Sequence, residues 1–209
     1  MVTSVQLLLW TLSGVYFAFI DIDYVRGHQF KRSAEAVAFD LADMDVPSIP
    51  AMELTLKERL PGEKIIGVVS GEGVLWLDRQ GESLQPLNRE QAIALASART
   101  QITPDRAEWL DSDVAGSEYR GAPLPLWQLW DSRSPERMAY VDALSGDVVA
   151  VRHDAWRWWD LLWSLHIMSY DDRDTIGTWL LKLFSLLALA TAILGLWLFG
   201  VTRRTVKSQ

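Results

Sequence analysis

The chain has 209 residues, 49% of them hydrophobic and 22% charged, with 11 tryptophans, no cysteine and a formal net charge of −7. That length allows one ordinary domain plus membrane segments, and an acidic chain lacks the basic groove through which phosphate contacts hold nucleic acid, so no nucleic-acid partner is expected. Without cysteine there is no disulfide, thiolate metal site or cysteine nucleophile, although an oxidising compartment stays open because disulfides are common there without being required.

Met1 to Ile20 (MVTSVQLLLWTLSGVYFAFI) carries no charge and is just long enough to span a bilayer as a first transmembrane helix, residues 1–20. A signal peptide is the rival, but no basic n-region precedes the apolar stretch and no A-x-A-like site follows, so an uncleaved helix is favoured. The missing basic N-terminus reads as a truncated or misassigned start. Residues 21–50 follow as an acidic external linker. Within it, Ser33 to Pro50 (SAEAVAFDLADMDVPSIP) ends in two prolines and reads as a tether or short helix.

An external domain is expected over residues 51–153. Met52, Leu56 and Leu60 recur every four residues before Pro61-Gly62, which predicts a short helix over 51–60. The β-branched run IIGVV, the turn SGEG, the run VLWL and the turn DRQGES then read as strand, hairpin, strand and a third short strand. Asn88 can cap a second helix with Glu90 and Gln91 in its first turn and Ala92, Ile93, Leu95 and Ala96 as its apolar content. Strands are expected near Ala107 to Leu110, in PLPLWQLWD, in MAYVDAL and in VVAVR, the last two joined by a Ser145-Gly146 turn. The alternation Leu124, Leu126, Gln128, Trp130 implies one buried and one wetter sheet face. The expected fold class is therefore α+β, with two αβββ units forming antiparallel sheet with packed helices.

Asp154 to Gln209 combines a tryptophan-rich lead-in and acidic turn (154–178), an apolar run (179–202) and a basic tail (203–209). No charge occurs from Leu183 to Thr202, which suits a second transmembrane helix. Arg203, Arg204 and Lys207 follow it, so the tail is expected in the cytoplasm of a bacterial inner membrane and the domain in the periplasm or cell exterior. Arg26, Lys31 and Arg32 run against that tendency, so the orientation rests on the second helix. Without the tail's three cations, the stretch from Asp21 to Lys182 carries −10. Small residues recur at helical spacing in both spans: Ser4, Thr11, Gly14 and Ala18 in the first, Ser185, Ala188, Ala192 and Gly195 in the second. They form either a packing stripe between the helices or the ordinary complement of such spans.

Trp156, Trp159 and Trp163 fall on one helical face with His166 nearby, while Arg157 and Asp160 fall off it; with Trp179 they are expected at the membrane interface. The same face can also pack on the domain or a partner. His28 and His166 would each lie near the outer boundary of a span, where two imidazoles can ligate a b-type haem; their commoner roles are a loop residue and an interfacial residue. Asp21/Asp23 and Asp171/Asp172/Asp174 lack calcium-loop spacing, so no metal site is assigned, and the second cluster is expected to serve the helix dipole. No G-x-S-x-G or H-E-x-x-H pattern appears, and no catalytic residue is assigned.

The hairpin AYVDALSGDVV, through Tyr140, Asp142, Gly146 and Val148, resembles the closing hairpin of a PepSY domain. Together with LLLWTLSGVYFAF and W-x-x-x-L-H-I-M-x-Y-D, the chain is similar to PepSY proteins with associated transmembrane helices, over nearly its whole length. The resemblance implies a non-catalytic binding or regulatory module acting through protein contacts outside the cytoplasm, with a peptidase as one class of partner. Its reductase relatives imply the alternative: an accessory subunit of a membrane electron-transfer or iron-uptake system with a redox partner. Those relatives carry a basic His-containing stretch before the first helix and further spans, both missing from this sequence.

Overall fold

The computed structural model describes residues 2–33, 37–40, 44–45, 50–71, 73–171 and 173–206, the last three as backbone. Among them the chain is α+β, with two antiparallel sheets and five helices. It divides into two compact units, Ile22–Trp156 and a unit made of Met1–Asp21 with Arg157–Gln209.

In the first of these, β1 (Glu53–Leu60), β2 (Glu63–Ser70) and β3 (Gly73–Leu77) form a three-stranded meander in that order. The helix expected over 51–60 is strand β1. A spacing of four residues satisfies a period of two as well as one of 3.6, and Leu54, between Met52 and Leu56, completes the alternation of a strand. Pro61-Gly62 closes the β1–β2 hairpin rather than ending a helix, with Gly62 at φ 80°. Gly67 is required by its neighbour across the sheet, since a Cβ there would lie 2.5 Å from the Trp76 ring. The third strand expected after Gly81 is reduced to an isolated bridge between Leu77 and Ser83. Glu72 of the expected turn lies outside the described residues.

Asn88 caps α3 (Arg89–Arg99) as expected: its Oδ1 accepts from Gln91 N at 2.9 Å and Gln91 Oε1 accepts from Asn88 N at 2.9 Å, a reciprocal capping box. The second sheet runs β4 (Arg106–Leu110), β5 (Leu126–Asp131), β6 (Ser134–Asp142), β7 (Val148–Arg152), neighbours antiparallel throughout. Leu129 and Val141 pack with Leu87, Ala92, Leu95 and Ala96 on the α3 side. The opposite face is covered too, because Tyr119, from the segment between β4 and β5, packs with Leu126, Tyr140 and Ala150. The face that carries Leu124 and Leu126 is therefore covered by a loop and the opposite face by α3, where one buried and one wetter face were expected. The described order is a βββ meander followed by one helix and four strands, not two αβββ passes.

The described parts of the expected linker pack on this domain. α2 (Ile22–Val25) buries Val25, and a 3-10 turn (His28–Phe30) leads to Arg32, whose N–H donates to Arg99 O at 2.8 Å. Gly27, at φ 77°, passes so close to β7 that a Cβ would meet Val151 O at 2.6 Å. Further on, Phe39 and Met44 pack on Ile66, Val68 and Leu77 of the first sheet. Residues 34–36, 41–43 and 46–49 of the linker lie outside the described residues.

The other unit holds α1 (Val2–Phe19), most of α4 (Asp154–Ile167) and α5 (Trp179–Val206). α1 and α5 are long and apolar enough to cross a membrane. Their contact is not a small-residue stripe. Ser4, Thr11, Ala18, Ser185, Ala192 and Gly195 are exposed, and a Cβ on Gly14 or Gly195 would meet nothing within 4 Å. Leu181, Phe184 and Ala188 are the half-buried row of α5, while Trp10 and Phe17 give α1 an aromatic face. α5 is capped by a threonine rather than by the acidic turn: Thr178 Oγ1 accepts from Leu181 N at 3.2 Å and donates to Met168 O at 3.3 Å. Asp171 and Asp174 are exposed, and Asp172 lies outside the described residues.

Arg59 is 5% exposed and depends on Glu63 for its only carboxylate among the described residues, at 2.5 and 2.8 Å. Removing one partner of such a pair leaves a buried charge uncompensated. Glu63→Ala is expected to destabilise the domain by on the order of 3 kcal/mol, read as a lowered thermal midpoint of the detergent-solubilised chain by near-UV circular dichroism. Glu63→Gln, which keeps one acceptor, should lose less.

Candidate functional site

A groove of about 770 Å³ opens in the domain between the C-terminal half of β1, one side of α3, and Ser33, Val37 and Phe39. Leu56, Leu60, Ala94, Leu95 and Ala98 make its walls apolar, and Lys57, Arg59 and Arg99 bring three cations against Glu58 and Asp147. In a stretch of charge −10 this is a local concentration of cations. β1 is the edge strand of its sheet, so its outer side has no strand partner among the described residues. At its far end the edge is closed by Arg99, which donates to Glu58 O at 2.8 Å, Arg59 O at 2.9 Å and Gly146 O at 3.0 Å. Lys57 is ion-paired with Asp147 and stands 4.2 Å above the Trp76 ring centroid. Burial pulls its ammonium below the ordinary lysine value, against the raising pull of Asp147.

The hairpin residues singled out in the sequence form the turn that meets this groove. Asp142 Oδ1 accepts from Leu144 N at 2.8 Å and Ser145 N at 3.0 Å, fixing the chain reversal. Gly146 sits at φ 73°, and a Cβ there would come within 2.8 Å of Arg59 Cγ and 3.0 Å of Leu95 Cδ1. Val148 pairs with Val141, and Tyr140 is buried with its hydroxyl 3.2 Å from Glu118 Oε2. These four residues shape and pack the hairpin.

In the helical unit, His166 Nδ1 lies 2.7 Å from Ser13 Oγ. Ser13 spends its one hydroxyl proton on Leu9 O at 2.8 Å, so it accepts from Nδ1–H, and the neutral imidazole keeps its lone pair on Nε2. Burial pushes the His166 imidazole below its ordinary value, which favours that neutral form. Trp10 Nε1 donates to His166 O at 2.8 Å. Phe17 of α1 meets His166, Trp159 and Trp163, and the two indoles stack at 5.4 Å and 12°. Trp159 and Trp163 thus face protein. Trp156 does so as well: it is 8% exposed, with Arg152 at 4.4 Å and Arg120 at 5.4 Å from its ring. Trp179, Trp197 and Trp158 are strongly exposed. His28, in the domain, is half exposed and pairs through Nδ1 with Asp23 at 3.1 Å.

Comparison with known protein families, curated proteins and solved structures finds no match. The likeness to PepSY proteins therefore rests on the residues quoted for it.

Three functional-looking groups escaped the sequence reading. Asp160, placed off the tryptophan face, is wholly buried and holds Arg173 at 2.7 Å. Its signal was a lone carboxylate inside WRWWDLLW, where leaving it unpaired would be costly. Ser13, buried in α1, finds its partner only in α4, far away in the sequence. Arg99, at the C-terminal end of α3, ties β1 to the β6–β7 turn.

A histidine whose folded pKa lies below its unfolded value is held neutral at the cost of stability once the solvent favours protonation. Stability should be full above about pH 6.5 and fall as the pH drops below that toward the folded value. The pH dependence of thermal unfolding of the full chain in detergent should flatten over that window in His166→Gln. Ser13→Ala, which orphans the Nδ1–H donor, should lower stability by about 1–3 kcal/mol at pH 8.

Proposed function

We propose that the chain is a membrane-anchored extracytoplasmic module that binds another membrane or periplasmic protein and has no catalysis of its own. The observation that carries this reading is the open edge of β1 beside a cationic, apolar-walled groove, on a domain that lies in sequence between two helices able to cross a membrane. An exposed strand edge is a ready template for another chain. The hairpin's likeness to PepSY proteins supports the same reading, with a peptidase as one class of partner.

The orientation follows from Arg203, Arg204 and Lys207, which the positive-inside tendency keeps in the cytoplasm. A chain without cysteine allows a direct test. Asp113→Cys, at an exposed site of the domain, should react with a membrane-impermeant maleimide in intact cells, and Ser208→Cys only after permeabilisation. The reverse pattern would end this reading.

A second reading has one observation in its favour. The hydrogen bond to Ser13 leaves His166 Nε2 as a lone-pair donor, the form in which imidazole ligates haem iron. Such a haem b would supply one-electron transfer to an accessory subunit of an electron-transfer or iron-uptake system. His28 belongs to the other unit, and its Nδ1 contact with Asp23 leaves its Nε2 in the same ligating form. A pyridine haemochrome spectrum of the purified membrane protein that His166→Ala abolishes would favour this reading over the first.

A further inference from the structure

We infer that the open edge of β1 from Glu53 to Lys57, with the groove at its end, receives an extended peptide in which apolar and acidic residues alternate; this rests on the binding-module reading and names the chemistry of its partner. The argument starts from the strand. β2 occupies one edge of β1, and on the other side Arg99 takes the carbonyls of Glu58 and Arg59. Pairing is therefore stopped at that end, and among the described residues it is left open from Glu53 to Lys57. An added strand would project its side chains alternately to the two faces of the sheet.

Those faces differ in chemistry. On one, Met52 and Leu54 are 79% and 50% exposed, and Leu75, two strands across from Leu54, is 43% exposed. This apolar track continues through Leu56 into the groove. On the other face the open stretch carries Glu53, Thr55 and Lys57, and the cations gather at its groove end, where Arg59 and Arg99 follow Lys57. Of the three cations, Arg99 has only neutral carbonyl acceptors among the described residues, whereas Lys57 has Asp147 and Arg59 has Glu63. A carboxylate arriving at the groove thus meets a guanidinium whose charge is not yet neutralised, at a place where a carboxylate–arginine contact is strong.

The chain itself shows that this chemistry suits the sheet. Phe39 and Met44 pack on the apolar face, and each is followed by an aspartate, Asp40 and Asp45. Lys64 donates to Ala38 O at 3.1 Å and stands 5.3 Å above the Phe39 ring centroid. Two apolar side chains, each next to an aspartate in the sequence, thus already pack on the apolar face of the same sheet.

The test uses the full chain in nanodiscs and fluorescent eight-residue peptides. A peptide alternating leucine with aspartate should bind, more weakly as salt rises, and a block peptide of the same composition or one alternating leucine with lysine should bind about tenfold or more weaker. Two versions N-methylated at alternate residues, on the leucines or on the aspartates, separate edge pairing from simple adhesion: one of the two should lose about tenfold or more. Leu54→Asp, an exposed site where folding is not at risk, should weaken the alternating peptide to a similar degree. Equal binding of all peptides, or indifference to both methylation patterns, would overturn the inference. So would efficient disulfide formation by Leu54→Cys between two copies, which would assign the edge to a second chain. If the peptides fail while the maleimide pattern is as expected, the binding-module reading stands without this partner chemistry; a reversed maleimide pattern removes that reading whatever the peptides do.

Discussion

Arg59 and Arg99 hold the domain's two sheets against each other. The sheets share no strand, and backbone pairing alone would leave them independent. Arg59 bridges them by donating to Gln85 O at 2.9 Å and Leu144 O at 3.1 Å while Glu63 takes its other donors. Arg99 does the same from α3, reaching β1 on one side and Gly146 on the other. A guanidinium offers five donors in a fixed fork, so two arginines satisfy carbonyls at a sheet end and a turn that no strand could reach. The glycine at 146 follows from this constraint, since any Cβ would displace the Arg59 stem.

The helical unit uses a related solution in an apolar setting. In lipid, association between helices draws on packing and on polar contacts that water no longer competes for. Here α1 meets α4 through Phe17 against Trp159, Trp163 and His166, and through the Ser13–His166 hydrogen bond. The buried pair Asp160–Arg173 fixes the segment between α4 and α5, where Met168 and Arg173 both adopt positive φ. Large aromatic residues, not small ones, set the spacing, which is why the glycines of both spans have nothing against them.

Much of this was readable in advance where the signal is local. Asn88 before an apolar-periodic run specifies α3, and Asp142 with Gly146 specifies the β6–β7 turn, because caps and tight turns are built from neighbours in sequence. The two apolar helices were legible by length and composition alone. β1 was misread because four-residue spacing is common to helix and strand, and the decision lay with Leu54, which fits only the strand. The covered second face of the larger sheet was not legible, since Tyr119 reaches it from a loop whose sequence carries no period. The groove was not legible either: Lys57 and Arg59 lie on β1 and Arg99 at the end of α3, and only the fold makes them neighbours.

That last point bears on how an acidic chain can attract an acidic partner. Over most of its external surface the net charge repels carboxylates, and at long range this acts against association. The groove sets Lys57, Arg59 and Arg99 against Glu58, Glu63 and Asp147, so it offsets at contact distance the acidity that surrounds it. Two of the cations are already committed to Asp147 and Glu63, so the available attraction comes down to Arg99 and its neutral acceptors. An arrangement of this kind gives little steering and a good deal of discrimination: a carboxylate placed a few ångströms away meets the domain's own acids, and one placed in register along β1 meets a guanidinium. Register is what a strand edge imposes, because a slip of one residue exchanges every apolar side chain for an acidic one. The edge and the arginine therefore select by the same criterion, and each would be a poor recognition device without the other.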